Sequence, residues 1–102
     1  MESLLRRPMS EHFHVSILTE EETVYDGEVR SLIVPAQLGF MGVLADHAPL
    51  AARLKPGRIV LKTFPSDDPI VFNSTGKGFF DILNNKAILL LDAVEPVQAL
   101  KL

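Results

Sequence analysis

The chain has 102 residues, 47% of them apolar and 23% charged, with a formal net charge of -3 and no cysteine. That is one domain, large enough to bury roughly 65% of the surface its unfolded chain exposes, and too apolar for disorder. Without an excess of Lys and Arg to displace counterions it is not expected to bind nucleic acid, and without cysteine it has neither disulfides nor thiolate chemistry.

No apolar run approaches the roughly 18 residues that span a bilayer. The opening Met1 to Pro8 is too poor in apolar residues for a signal peptide. The chain is therefore expected to be cytosolic and soluble unless a partner holds it at a membrane. Residues 1–11 read as a tail, with one helical turn at Leu4 to Arg7 ended by Pro8.

From Phe13 the apolar period becomes two, placing Phe13, Val15, Ile17 and Thr19 on one face of a strand and His14, Ser16 and Leu18 on the other. Glu20-Glu21-Glu22 interrupts the pattern and Thr23-Val24-Tyr25 resumes it. Asp26-Gly27 then predicts a tight hairpin turn, because the pair tolerates positive φ. Glu28 to Pro35 reads as the next strand, with Leu32, Ile33 and Val34 packing on both faces.

Between Gly39 and Gly57 lie two short strand-like pieces, a His47-Ala48-Pro49-Leu50 turn and a Leu54-Lys55-Pro56-Gly57 turn. Arg58 to Phe64 alternates again, and Pro65 to Pro69 is a loop by composition. Ile70 to Phe72, Phe79 to Leu83 and Ala87 to Leu91 are strands, the last expected to be buried on both sides. They are separated by turns at Thr75 to Gly78 and at Asn84-Asn85-Lys86. The longest helical candidate, Val43 to Leu54, is interrupted by Pro49. Seven or more short strands with regular turn signals predict an all-β antiparallel sandwich or barrel.

Catalytic patterns are poorly supported. Asp46 and His47 are adjacent, so on a strand they point to opposite faces and the carboxylate cannot orient the imidazole. No Gly-x-Ser-x-Gly elbow presents a nucleophile. His12-x-His14 puts two imidazoles on one face, half of a zinc site that His47 or a carboxylate would have to complete. Solvated histidines at a strand's start are the commoner outcome. Thr75-Gly76-Lys77-Gly78 lacks the Gly-x-x-x-x-Gly-Lys-Ser/Thr spacing and the following helix of a phosphate loop. The acidic runs Glu20 to Glu22 and Asp67-Asp68 read as solvated turns.

Gly39-Phe40-Met41-Gly42 differs, since two glycines bracket two large apolar residues just after Leu38. Either these side chains form an exposed contact patch, or Phe40 or Met41 plugs the open end of the sandwich.

Several segments together resemble the epsilon subunit of the rotary F-type ATP synthase, called delta in mitochondria. They run from Phe13-His14-Val15-Ser16-Ile17-Leu18-Thr19 and Val24-Tyr25-Asp26-Gly27-Glu28-Val29 through Ile33-Val34-Pro35-Ala36. The most specific block joins Gly39-Phe40-Met41-Gly42-Val43-Leu44 to His47-Ala48-Pro49-Leu50 and Leu54-Lys55-Pro56-Gly57. Phe79-Phe80-Asp81-Ile82 and Leu90-Leu91-Asp92-Ala93 complete it, so the resemblance covers about residues 13 to 95.

The resemblance implies a flattened antiparallel β-sandwich of about ten short strands over residues 12–95, with 96–102 as a short tail. It implies a non-catalytic central-stalk subunit without cofactor or metal, clasping the gamma subunit and seated on the polar loops of the membrane rotor ring. Such a subunit would be peripheral to the cytoplasmic face of a bacterial membrane, with no insertion of its own. By position, Gln37, Leu38, Gly39, Phe40 and Met41 match the ring-facing loop, and Thr19 and His47 match places beside gamma. The family usually has a polar, often acidic, residue where Phe40 stands, a Pro-Gly or Pro-Asn where Ala45-Asp46 stands, and a Ser-Gly-Gly where Gly76-Lys77-Gly78 stands. Most bacterial members continue into a helical hairpin that inhibits ATP hydrolysis. A chain ending at Leu102 is expected to lack that function and the ATP sensing some hairpins provide. The competing expectations are a β-sandwich ligand- or protein-binding module with no rotor role, and a metalloenzyme built on His12, His14 and His47.

Overall fold

The computed structural model describes residues 10–97. The helical turn expected at Leu4 to Arg7 and the last five residues lie outside them. The strands run in chain order β1 (Phe13–Leu18), β2 (Thr23–Ala36), β3 (Gly39–Leu44), β4 (Leu50–Leu54), β5 (Gly57–Thr63), β6 (Pro69–Ser74), β7 (Gly78–Leu83), β8 (Lys86–Leu91) and β9 (Val94–Pro96). Among the described residues there is no helix, and nine strands stand against the ten or so expected.

The long β2 organises the fold. Its first half pairs antiparallel with β1, Val29 to Ile33 pair with β5, and Ser31 to Ala36 pair with β3. Hydrogen bonding runs in the order β1-β8-β7-β4-β2-β5-β6-β9, and because β1 also pairs with β2 the first five strands close on themselves. β1 and β8 are parallel; the other pairings are antiparallel. Period-two patterning decides which side chains enter. Phe13, Val15 and Ile17 of β1, Phe80 and Ile82 of β7, and Ala87, Leu89 and Leu91 of β8 meet Val29, Leu32, Val34, Ile59, Leu61 and Phe72 in one core. Each such Leu, Ile or Phe stabilises the fold by roughly 1.5–3 kcal/mol relative to an exposed side chain.

Two turns show local chemistry at work. Asn84 and Asn85 take φ values of 50° and 61°, the pair of left-handed residues that a tight two-residue hairpin requires, and Leu83 pairs with Lys86 across them. Gly78 opens β7 where β8 comes closest. A Cβ there would lie 2.5 Å from Leu91 Cδ2 and 2.7 Å from the Leu90 carbonyl oxygen, so only glycine fits.

Three expectations about strands are corrected. Asp26-Gly27 is not a turn, since the pair continues β2 opposite Ser16 and Val15. The chain reverses earlier, at Glu20-Glu21, where Thr19 N donates to the Glu22 carbonyl at 2.9 Å. Gly27 serves the inner face instead, because a Cβ there would come within 2.9 Å of the Tyr25 hydroxyl. Leu32 to Val34 and Ala87 to Leu91 do not pack on both faces. Ile33 is 41% exposed, Ile88 42% and Leu90 51%, because each strand has the core on one side only.

Candidate functional site: an apolar sheet face and the adjoining hairpin tip

The outward residues of four strands fall into register. Leu18, Leu90, Phe79 and Arg53 form one row across β1, β8, β7 and β4. Ser16, Ile88, Asp81 and Ala51 form the next, and His14, Lys86 and Leu83 the third. Phe79 and Leu90 are opposed partners and both exposed; Ile88, opposite Asp81, and Leu83, opposite Lys86, are exposed as well. The apolar side chains are contiguous, with Asp81, Lys86 and Arg53 among and around them. A contiguous exposed apolar face of this kind marks a candidate interaction surface.

Thr19 stands at one end of this face. It lines an open cleft of about 290 Å³ with Leu18, Lys77, Phe79 and Leu90, and its Oγ1 accepts from Glu22 N at 3.2 Å. His47 lies towards the opposite end, in the β3–β4 loop that is tied to the Asn84-Asn85 turn. Asp46 N donates to Asn85 Oδ1 at 2.7 Å, and Asn85 Nδ2 donates to Asp46 Oδ1 at 3.0 Å. Asp46 Oδ2 accepts from Ser10 N at 2.8 Å, while His47 Nδ1 donates to its neighbouring Ala48 carbonyl at 2.7 Å. Asp46 thus anchors the loop to the Asn84-Asn85 turn and to Ser10.

The segment Gln37 to Met41 divides. Gln37 and Leu38 make the turn, and Gly39, Phe40 and Met41 open β3. Leu38 is fully exposed and Phe40 is 68% exposed, while Met41 packs against the core. Phe40 pairs with Pro35 and Met41 with Val34, so alternation turns Met41 inward and leaves Phe40 outside. Of the two outcomes open for this segment, Phe40 is exposed and Met41 packs against the core. The tip is fastened to β4 by Gln37 N donating to the Arg53 carbonyl at 3.1 Å. Between them lies a groove of about 530 Å³ lined by residues 36–41, Ala52 and Arg53. Through Arg53 the hairpin tip adjoins the first row of the apolar face.

His12 and His14 meet carboxylates. His12 Nδ1 is 2.6 Å from Glu28 Oε1, and His14 Nδ1 is 2.7 Å from Glu28 Oε2. His14 Nε2 is 2.5 Å from Asp26 Oδ1, which also accepts from Ser16 Oγ at 2.8 Å. Glu28, and then Asp26, hold the His14 pKa above its ordinary 6.5. Hydrogen bonds from His14 and His12 lower that of Glu28, and those from Ser16 and His14 lower that of Asp26. Among the described residues no group of three or more His, Cys, Asp or Glu is arranged to hold a metal ion. Sequence patterning missed Asp26 and Glu28 because it predicts a turn between them. With the reversal placed at Glu20-Glu21, the spacing His12-x-His14 opposite Asp26-x-Glu28 would have shown the cluster.

These features define a β-sandwich with apolar area exposed on the outside of one sheet and at one hairpin tip. Residues 12–97 match the beta-sandwich domain of the ATP synthase delta/epsilon chain, and the chain belongs to that family. It is 33% identical over 84 residues to the ATP synthase epsilon chain of Dichelobacter nodosus, covering 82% of this chain and 57% of that protein. Against the epsilon chain of Chlorobaculum tepidum it is 39% identical over 82 residues, covering 80% of this chain and 91% of that one. It therefore spans a little over half the length of some relatives and nearly all of another. The fold superposes on a chain of the Euglena gracilis mitochondrial ATP synthase with a TM-score of 0.78 at 16% identity, covering 87% of this chain and 56% of that one. A chain of the Tetrahymena thermophila central stalk and c-ring gives 0.67 at 12% identity, covering 86% and 69%.

Proposed function

We propose that the chain is a non-catalytic rotor subunit of an F-type ATP synthase, joining the gamma subunit to the membrane rotor ring so that ion-driven rotation is coupled to ATP synthesis. The observation that carries this reading is the family match across the whole described sandwich, residues 12–97. Two surfaces support it. The apolar face framed by Thr19 and His47 suits gamma, a partner that stays bound, because permanent interfaces are apolar at their centres. The hairpin tip, with Gln37, Leu38 and Phe40 outward, suits the ring. Met41 turns inward, so the ring contact of that loop falls on Gln37, Leu38, Gly39 and Phe40.

Torque transmission through such a subunit needs complementary packing at two separate places and no general base, nucleophile or cofactor. The site of action is the cytoplasmic face of a bacterial membrane, as a peripheral component of the complex. The chain would be co-expressed with the gamma subunit of the same organism and the mixture run on size-exclusion chromatography. A stable one-to-one complex is expected. Two separate folded peaks would overturn the rotor reading and leave a sandwich module with some other ligand.

A further inference from the structure

The outer face of the β1–β2 hairpin carries a charged cluster at the margin of the face assigned to gamma. Both ring nitrogens of His14 face carboxylate oxygens, Nδ1 towards Glu28 at 2.7 Å and Nε2 towards Asp26 at 2.5 Å. An ionised carboxylate only accepts, and a neutral imidazole has one N–H and one lone pair. A neutral His14 could serve one carboxylate and would turn its lone pair on the other. Only the imidazolium donates to both. The carboxylates stay ionised because further donors hold them, Ser16 Oγ on Asp26 at 2.8 Å and His12 Nδ1 on Glu28 at 2.6 Å.

The site also controls something. Residues Thr23 to Glu28 of β2 pair with β1, while the β5 pairing of β2 begins at Val29. From Thr23 to Gly27 this stretch is an edge, ending where the Glu28 carbonyl accepts from Phe64 N at 3.0 Å, and the outward side chains Asp26 and Glu28 are tied back to β1 by the cluster.

We propose that His14 is a proton-operated clasp on the edge segment Thr23 to Gly27. It is closed while the ring carries both protons and opens on one arm when the ring loses one.

The surroundings favour the closed state. Two carboxylates face His14 from β2. Lys86, its register neighbour on β8, is the opposing cation. Arg30, the next outward residue of β2 after Glu28, is occupied elsewhere, over the Phe64 ring at 4.7 Å and 3.6 Å from Asp67. His12 stacks on Phe64 with ring centroids 4.2 Å apart and reaches only Glu28. His12 thus meets one carboxylate oxygen through one ring nitrogen, whereas His14 meets two through both. The direction of linkage follows from its raised pKa. The clasp's contribution is complete below the unfolded value of 6.5 and is lost as pH rises through the higher folded one.

The test uses the ¹⁵N-labelled chain. Ring ¹H–¹⁵N correlation spectra would follow His14 against pH, and backbone hydrogen exchange corrected for its intrinsic pH dependence would follow Thr23 to Gly27. The expected result is a doubly protonated His14 ring at neutral pH, titrating above the ordinary imidazole range, with edge exchange accelerating across the same interval. In an Asp26→Asn, Glu28→Gln double variant the titration should fall back and the exchange step should vanish. His14→Gln, which keeps one donor and no titration, should also lack the step. A His14 ring that titrates at or below 6.5, or edge exchange that stays flat through its titration, would overturn the clasp. Both measurements are made on the chain without gamma, so their outcome is separate from that of the gamma co-purification.

Discussion

Replacing Phe79 and Leu90 together by alanine should weaken the hold on gamma far more than it weakens the fold. The two are opposed partners on β7 and β8, 58% and 51% exposed. About half of each side chain is therefore still open for a partner to cover. Full burial of such a side chain is worth roughly 1.5–3 kcal/mol, so the uncovered halves offer about 1.5–3 kcal/mol together, or roughly a 10- to 150-fold change in Kd. The fold loses a cross-strand pair worth about 0.2–1 kcal/mol plus some strand preference. For a domain of this size that is a fall in Tm of several degrees. Calorimetric titration of purified gamma into each form, with melting curves alongside, separates the two effects. A Kd within twofold of the parent, in a variant that still melts cooperatively, would show that gamma does not cover this face.

Phe40→Asp should leave the melting temperature within a degree or two, because the side chain is largely outside the core, yet lower ion-driven ATP synthesis in reconstituted membranes. Undiminished synthesis would remove Phe40 from the ring contact. Gly78→Ala should cost about 1–3 kcal/mol by overpacking, since one of the atoms in its way is backbone. A urea midpoint equal to the parent's would mean that β8 can move aside. At the acid end, the lowered pKa values of Glu28 and Asp26 add stability above their unfolded values, 4.5 and 3.8, that is lost as pH falls through the lower folded ones. Glu28→Gln should therefore flatten the acid limb of the stability curve, and an unchanged limb in chemical unfolding at pH 3 to 5 would refute that account.

Much of this protein is legible in its order of residues. Alternation in β1 put Phe13, Val15 and Ile17 on the core face correctly, because a strand's side chains alternate whatever the strand packs against. Asn84-Asn85 announced its turn because its backbone requirement is local. The order of segments from Phe13 to Ala93 carried the family, which composition alone could not have done. What failed needed distant partners. Asp26-Gly27 has the chemistry of a turn, but Ser16 and Val15 pair with it across the hairpin, and many ladder hydrogen bonds outweigh one local preference. The apolar runs in β2 and β8 looked like strands buried on both sides, whereas only the closed strand order leaves their second face outside. The same closure lines up Leu18, Leu90 and Phe79 from three strands as one surface, and brings His14 between Asp26 and Glu28. Sequence by itself determines which residues alternate, turn and belong to a family. Which faces meet the core, and which charges meet each other, depends on strand register, and register is settled only when the whole sheet closes.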